Sequence, residues 1–223
     1  MPRMETHLQQ LVEELRLKVL NIAALAERAV DQACTSLTSR DSGLAEKVIE
    51  NDAAINALEC DIDEASLNIL AREQPVARDL RFVMGSVRAV IDLERIGDEA
   101  VNVAEKVIYM SKLPEAPYNP QMDELIASVR KMLRDAVVSF RDGNTQLAMD
   151  VCRGDAAADE LNVRILKRTM DDMVAETTGV RRAVHTILAA RSLERICDLA
   201  TNIAEATIFV VEGISIKHRC QPY

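Results

Sequence analysis

Residues 93–105 read LERIGDEAVNVAE, and residues 193–205 read LERICDLATNIAE. Position for position the two segments share Leu, Glu, Arg, Ile, Asp, Ala, Asn, Ala and Glu. Several of these are polar residues that a helical core does not require, so the recurrence reports a repeated unit rather than shared composition. The repeat extends upstream. NDAAINAL (51–58) matches GDAAADEL (154–161), setting Asp52 against Asp155 and Leu58 against Leu161. The offset is 103 in this stretch (155 − 52) and 100 in the later one (193 − 93), so the second copy is shorter by three residues in between. A period of this length is too long for a solenoid. It implies two matching halves.

What each half folds into follows from punctuation. Glycine (7) and proline (6) are scarce and aromatics make up 3%, whereas strands favour aromatic and β-branched residues with frequent turn signals. All six prolines (Pro2, Pro75, Pro114, Pro117, Pro120 and Pro222) fall at ends or gaps of the apolar periodicity. Proline breaks helix interiors, so these positions outline the helices. The spacing predicts helices at about 5–39, 42–72, 76–112, 120–142, 145–175 and 180–213. RDSG (40–43) and RDGN (141–144) supply turn chemistry between the first two helices of each half. The expected fold is all-α: two tandem, pseudo-symmetric three-helix bundles, residues 1–112 and 121–223, joined by a proline-rich linker at 113–120. Short connections make consecutive helices antiparallel, which leaves the first and third helices of each bundle parallel and adjacent.

Composition excludes several functions. A net charge of −9 is the wrong sign for nucleic acid and for general adhesion to anionic lipid. No apolar run reaches the roughly 18 residues of a membrane span, so no membrane insertion is expected. The opening MPRMETHLQQ has no signal-peptide core. Cys34, Cys60, Cys152, Cys197 and Cys220 are odd in number and form no CxxC, which reads as reduced thiols in a cytoplasmic protein. Cys197 replaces Gly97 between the copies, a helix-packing exchange. His7, His185 and His218 are the only histidines and none pairs with a cysteine at ligand spacing. There is no phosphate-binding glycine loop and no nucleophile–base arrangement, so no catalytic residue is assigned and no enzyme is expected.

On a helical wheel, Leu93, Ile96, Ala100, Val103 and Val107 form one stripe at 3-4-3-4 spacing, a bundle seam. Glu94, Asp98, Asn102 and Glu105 form a second stripe nearly opposite. The sixth helix repeats the pattern, with Leu193, Ile196, Ala200 and Ile203 inward and Glu194, Asp198, Asn202 and Glu205 outward. Like charges at i,i+4 cost a helix a few tenths of a kcal/mol per pair, which Arg95 and Arg195 relieve in part. The first helix adds Glu27 and Asp31, off its own core stripe of Leu11, Leu15, Ile22 and Ala29. If the first and third helices are neighbours, these four carboxylates and an amide face one groove. That is an oxygen-ligand site for a hard or borderline cation (Fe, Zn, Mn, Ni, Mg or Ca). The positions matching Glu27 and Asp31 in the second half are Arg130 and Arg134, so the first-half site should be the better formed. Asp52 and Asp155 read first as solvated helix residues, and His185 as packed or solvated.

At these residues the chain resembles the PhoU family of phosphate-signalling proteins. The tandem ERIGD (94–98) and ERICD (194–198) carry the resemblance, each followed by the Asn and Glu, with AEKVIENDAAIN (45–56), QPVARDLR (74–81) and AARSLERICD (189–198) in support. The resemblance implies twin three-helix bundles, often dimeric, and metal held by E/DxxxD motifs. Carried over by position, the ligands are Glu94, Asp98 and Asn102, then Glu194, Asp198 and Asn202, with Glu27 and Asp31 more weakly placed. It also implies negative regulation of the phosphate-starvation response and of phosphate uptake. The implied partners are the ATPase of a phosphate ABC transporter and a sensor histidine kinase, at the inner face of the membrane. Two alternatives stand beside this reading: a divergent metal-binding scaffold or accessory protein of another transporter, and a carboxylate-bridged metal oxidase. The oxidase would want inward-facing Glu residues and ExxH pairs, and no ExxH occurs.

Overall fold

The computed structural model describes residues 7–114, 119–175 and 179–216. The chain runs α1 (His7–Ser39), α2 (Ser42–Glu73), α3 (Ala77–Ser111), α4 (Gln121–Asp142), α5 (Thr145–Ala175) and α6 (Val180–Glu212). Residues 115–118 of the expected linker, and the expected start of the first helix at residue 5, lie outside the described residues.

Both halves turn their first corner with the same chemistry. Asp41 N donates to Ser36 O at 3.1 Å, and Asn144 N donates to Ser139 O at 2.9 Å. The corner residue is left-handed in each, Arg40 at φ 57° and Gly143 at φ 64°. The next side chain then caps the following helix: Asp41 Oδ1 accepts from Leu44 N and Asn144 Oδ1 from Leu147 N, both at 3.0 Å.

The inward stripes are buried as expected. Leu93, Ile96, Ala100, Val103 and Val107 are core residues, as are Leu193, Ile196, Ala200 and Ile203. α1 lies on α3, with the Arg16 guanidinium 4.4 Å from the centre of the Phe82 ring. α2 and α5 pack only within their own halves.

The halves themselves share one continuous apolar core. α3 and α6 run antiparallel through its centre. Gly85 gives the close approach there, because a Cβ on it would lie 2.2 Å from Val210 Cγ2. An arginine from the start of each of these helices binds carbonyls at the end of the other, where the helix dipole favours a cation. Arg81 Nε donates to Val210 O at 3.2 Å. Arg182 donates to Met110 O, Leu113 O and Pro114 O, each at 2.6 Å. His185 is packed, its ring centre 3.9 Å from that of Tyr109.

Candidate metal centre

Each carboxylate stripe meets the outer helix of its own half. In the second half, one oxygen each from Asp159 on α5 and Glu194 and Asp198 on α6 lie within 4.8 Å of one another. Asp155 stands beside them, accepting from Thr201 Oγ1 at 3.3 Å. Partial burial, then Asp198 and Asp159, push the Glu194 carboxyl up to about 7, with Arg191 opposing. Asp198 is pushed up to about 6, by burial first and then by Asp155 and Asp159, with Arg195 and Arg191 opposing. Asp155 is raised by burial and by Asp159. Asp159 and Asp198 are exposed and Glu194 is half-buried; carboxylates that resist ionising together form a donor set that a cation would stabilise.

The first half has the same design with looser parts. Glu94 is raised by burial and then by Asp98, Glu59 and Asp52. Asp98 is raised by burial, Asp52 and Glu99. Asp52 Oδ2 accepts from Asn56 at 3.1 Å. Its Oδ1 is buried without a hydrogen-bond partner, a bare acceptor of the kind that ordinarily has one. Asn56 occupies the position of Asp159, and the fourth carboxylate of this groove, Glu59, lies three residues further along α2, where α5 has Asn162. Among the described residues the tight acidic group is in the second half, against the expectation that the first would be better formed.

The reason is the placement of Glu27 and Asp31. They do not join the α3 stripe; they face α4. Asp31 Oδ1 is 2.7 Å from Arg130 Nη2, which also donates to Thr35 Oγ1 at 2.9 Å. Glu27 is raised by burial, and Arg134 and Arg141 oppose that shift. The arginines that seemed to weaken a second site are instead the counter-ions of the first-half pair, crossed as a two-fold interface requires. The acidic residues therefore gather between α2 and α3, and between α5 and α6, rather than between α1 and α3.

The amides part from the carboxylates too. Asn202 donates to Asp92 on α3 at 3.2 Å, and Asn102 donates to Glu99 at 3.2 Å. Glu99, 4% exposed, is 2.8 Å from Arg195 Nη1 on α6. Asn102 and Asn202 thus serve the α3–α6 seam. Glu105 is exposed beside Lys106, and Glu205 is half-buried. Asp155 and Asp159 repeat the four-residue spacing of Glu194 and Asp198, and Asp52 with Asn56 repeats it in the first half. That spacing was the signal by which the outer-helix residues are recognisable.

Fold and site together define a class: a six-helix protein of two fused repeats, each with an acidic groove between its second and third helices. The PhoU domain matches residues 19–107 and again 122–207. The chain is 39% identical over 208 residues to the phosphate-specific transport system accessory protein PhoU homolog of Pseudomonas putida, a match spanning 93% of this chain and 81% of that one. It is 37% identical over 208 residues to the Aquifex aeolicus homolog, spanning 93% and 94% of the two chains. The crystal structure of PhoU from Pseudomonas aeruginosa matches with a TM-score of 0.89 at 38% identity, covering 92% of this chain and 99% of that one. That of the phosphate transport system regulatory protein PhoU from Streptococcus pneumoniae gives 0.87 at 25% identity, covering 94% and 99%. The chain belongs to the PhoU family.

Proposed function

We propose that this protein is a regulatory accessory of phosphate transport that restrains uptake and the phosphate-starvation response by contact with other proteins. The observation that carries the reading is the pair of acidic grooves on a chain whose relatives are named phosphate transport accessory and regulatory proteins. No helix among the described residues is long and apolar enough to cross a membrane. Its partners on this reading are the transporter ATPase and a sensor histidine kinase, which bring it to the inner face of the membrane, and the protein pairs as a homodimer.

The grooves hold cations in this proposal. Asp155, Asp159, Glu194 and Asp198 would form the second-half site, and Asp52, Glu59, Glu94 and Asp98 the first. The donor set is all oxygen, which suits Mg, Ca, Mn or Fe better than Zn or Ni, whose protein sites draw on His and Cys. A bound cation would neutralise the like charge that burial makes costly. The chain's own carboxylates then tie the outer helix of each half to its central helix.

A starvation-gene reporter in a deletion strain at high phosphate tests the regulatory role, with and without the sensor kinase. Derepression that disappears when the kinase is also removed is expected. An unchanged reporter in the deletion strain would defeat the regulatory reading, and derepression that persists without the kinase would defeat the proposed route.

A further inference from the structure

Below the acidic group, the α5–α6 groove changes character. Asp159 faces Glu194 and Asp198 and Asp155 faces Thr201, so the helices are antiparallel. About two turns further along α5 and back along α6, Leu166 and Met170 come opposite Leu188 and Val184. Leu166 is 37%, Met170 53%, Leu188 41% and Val184 41% exposed. Val163 and Val174 extend the α5 stripe at helical spacing, both exposed. The stripe lies well round the helix from the buried Leu161, Ile165 and Thr169, so it adds nothing to the core.

The flanks are basic on a protein that is acidic overall. Arg164, Lys167 and Arg181 are exposed, and none forms an ion pair among the described residues. Arg168 adds to this charge, while Glu160, Asp171 and Asp172, also exposed on α5, moderate it at either end. The first half matches this only in part: Leu67 and Met84, both exposed, stand where Met170 and Val184 do, but Val163, Arg164, Leu166, Lys167 and Leu188 correspond to Cys60, Asp61, Asp63, Glu64 and Arg88. The two repeats therefore differ in charge along this face: α5 carries Arg164, Leu166 and Lys167 where α2 carries Asp61, Asp63 and Glu64. Internal packing does not account for the difference, because the buried positions of the two helices match, Ile62 with Ile165 and Ser66 with Thr169.

We propose that this α5–α6 groove docks an acidic amphipathic helix of a partner protein, its apolar face on Leu166, Met170, Val184 and Leu188 and its carboxylates on Arg164, Lys167 and Arg181. A shallow channel between two antiparallel helices fits a third helix laid along it. The positive edges select an acidic partner and steer its approach. An anionic bilayer fits less well. α5 contains no Trp, Tyr or Phe to anchor it in the headgroup layer.

The test uses the full chain and a labelled synthetic helix of about 18 residues, with Leu at i, i+3, i+4 and i+7 and Glu on the other face. Fluorescence anisotropy should show saturable binding that weakens as salt is raised, and a Lys-for-Glu version of the peptide should not bind. Leu166→Asp with Met170→Asp, and separately Arg164→Glu with Lys167→Glu, should each weaken binding at least about tenfold. Leu67→Asp on α2 should leave it unchanged. All these positions are exposed, and circular dichroism checks that each variant keeps its helicity. Absence of binding, equal binding of the Lys peptide, or unchanged affinity in both α5 double variants would overturn the proposal. So would tight adsorption to phosphatidylglycerol vesicles that the α5 variants abolish and the peptide cannot compete.

Discussion

Gly97 and Cys197 are the one break inside the shared ERI-x-D motif, and their neighbours explain it. A Cβ on Gly97 would lie 2.9 Å from Ile55 Cδ1 and 3.3 Å from Asp52 Oδ1. The position matching Ile55 in the second half is Ala158, fully buried beneath the equally buried Cys197. The two halves thus fill the same space with opposite assignments, large on α2 and small on α3, then small on α5 and larger on α6. Burial also pushes the Cys197 thiol well above its ordinary range, so it packs as an inert small apolar group. Gly97→Cys should cost about 1–3 kcal/mol by overpacking and Ile55→Ala about 2–5 kcal/mol by leaving a cavity. Made together they should cost at least about 1 kcal/mol less than their sum, because the thiol enters the space the isoleucine leaves. Urea denaturation of the four proteins measures this, and strict additivity would refute the compensation. At this scale the core stripes were legible because 3-4 spacing leaves little choice about which side is apolar. Asp159 was not, since its twin is Asn56 and a wheel of α6 does not say which helix faces Glu194. Glu27 and Asp31 misled for the same reason: their neighbour is α4, and nothing local to α1 specifies that.

Helix limits were legible to within about two residues, because prolines, an Asp or Asn cap and a left-handed corner residue mark the ends. Electrostatics between helices was not, and it makes the α5–α6 pair sensitive to pH. Glu194 at about 7 and Asp198 at about 6 both stand above the ordinary carboxylate range. The folded chain therefore binds more protons than the unfolded chain between about pH 4 and pH 7. With cations chelated, this pair's contribution to stability is fully present below the ordinary carboxylate range. It is lost as pH rises through the two raised values. Glu194→Gln should flatten that part of the stability–pH curve and make the cation-free protein more stable than the parent at pH 8. Thermal unfolding in chelator across that range reads this directly. A variant with the parent's slope would show that Glu194 does not carry the strain.

Over the whole molecule, the twofold plan was visible in the repeat, but the docking of the halves was not. Two bundles on a linker and two bundles fused along α3 and α6 have the same hydrophobic periodicity. What distinguishes them is a few asymmetric residues: Gly85 against Val210, Glu99 against Arg195, Asp31 against Arg130. Leu199 stands where Glu99 stands in the other copy, so among the described residues the pair of buried Glu99 with half-exposed Arg195 has no symmetric twin. α2 and α5 touch only their own halves, and in each groove the carboxylates repel one another. On the proposed function, a cation offsets that repulsion and holds each outer helix to its central helix. Saturating a site at 100 times its Kd adds about 2.7 kcal/mol to stability, enough for a scan to resolve. The most direct measurement takes chelator-treated protein and adds Mn²⁺ or Mg²⁺, reading metal content after dialysis alongside Tm. The parent should retain metal and unfold several degrees higher. A variant carrying Asp159→Asn, Glu194→Gln and Asp198→Asn should stay helical, hold less metal and lose much of that rise. A triple variant with the parent's metal content, or a parent that retains no metal and shows no shift in Tm, would contradict the account.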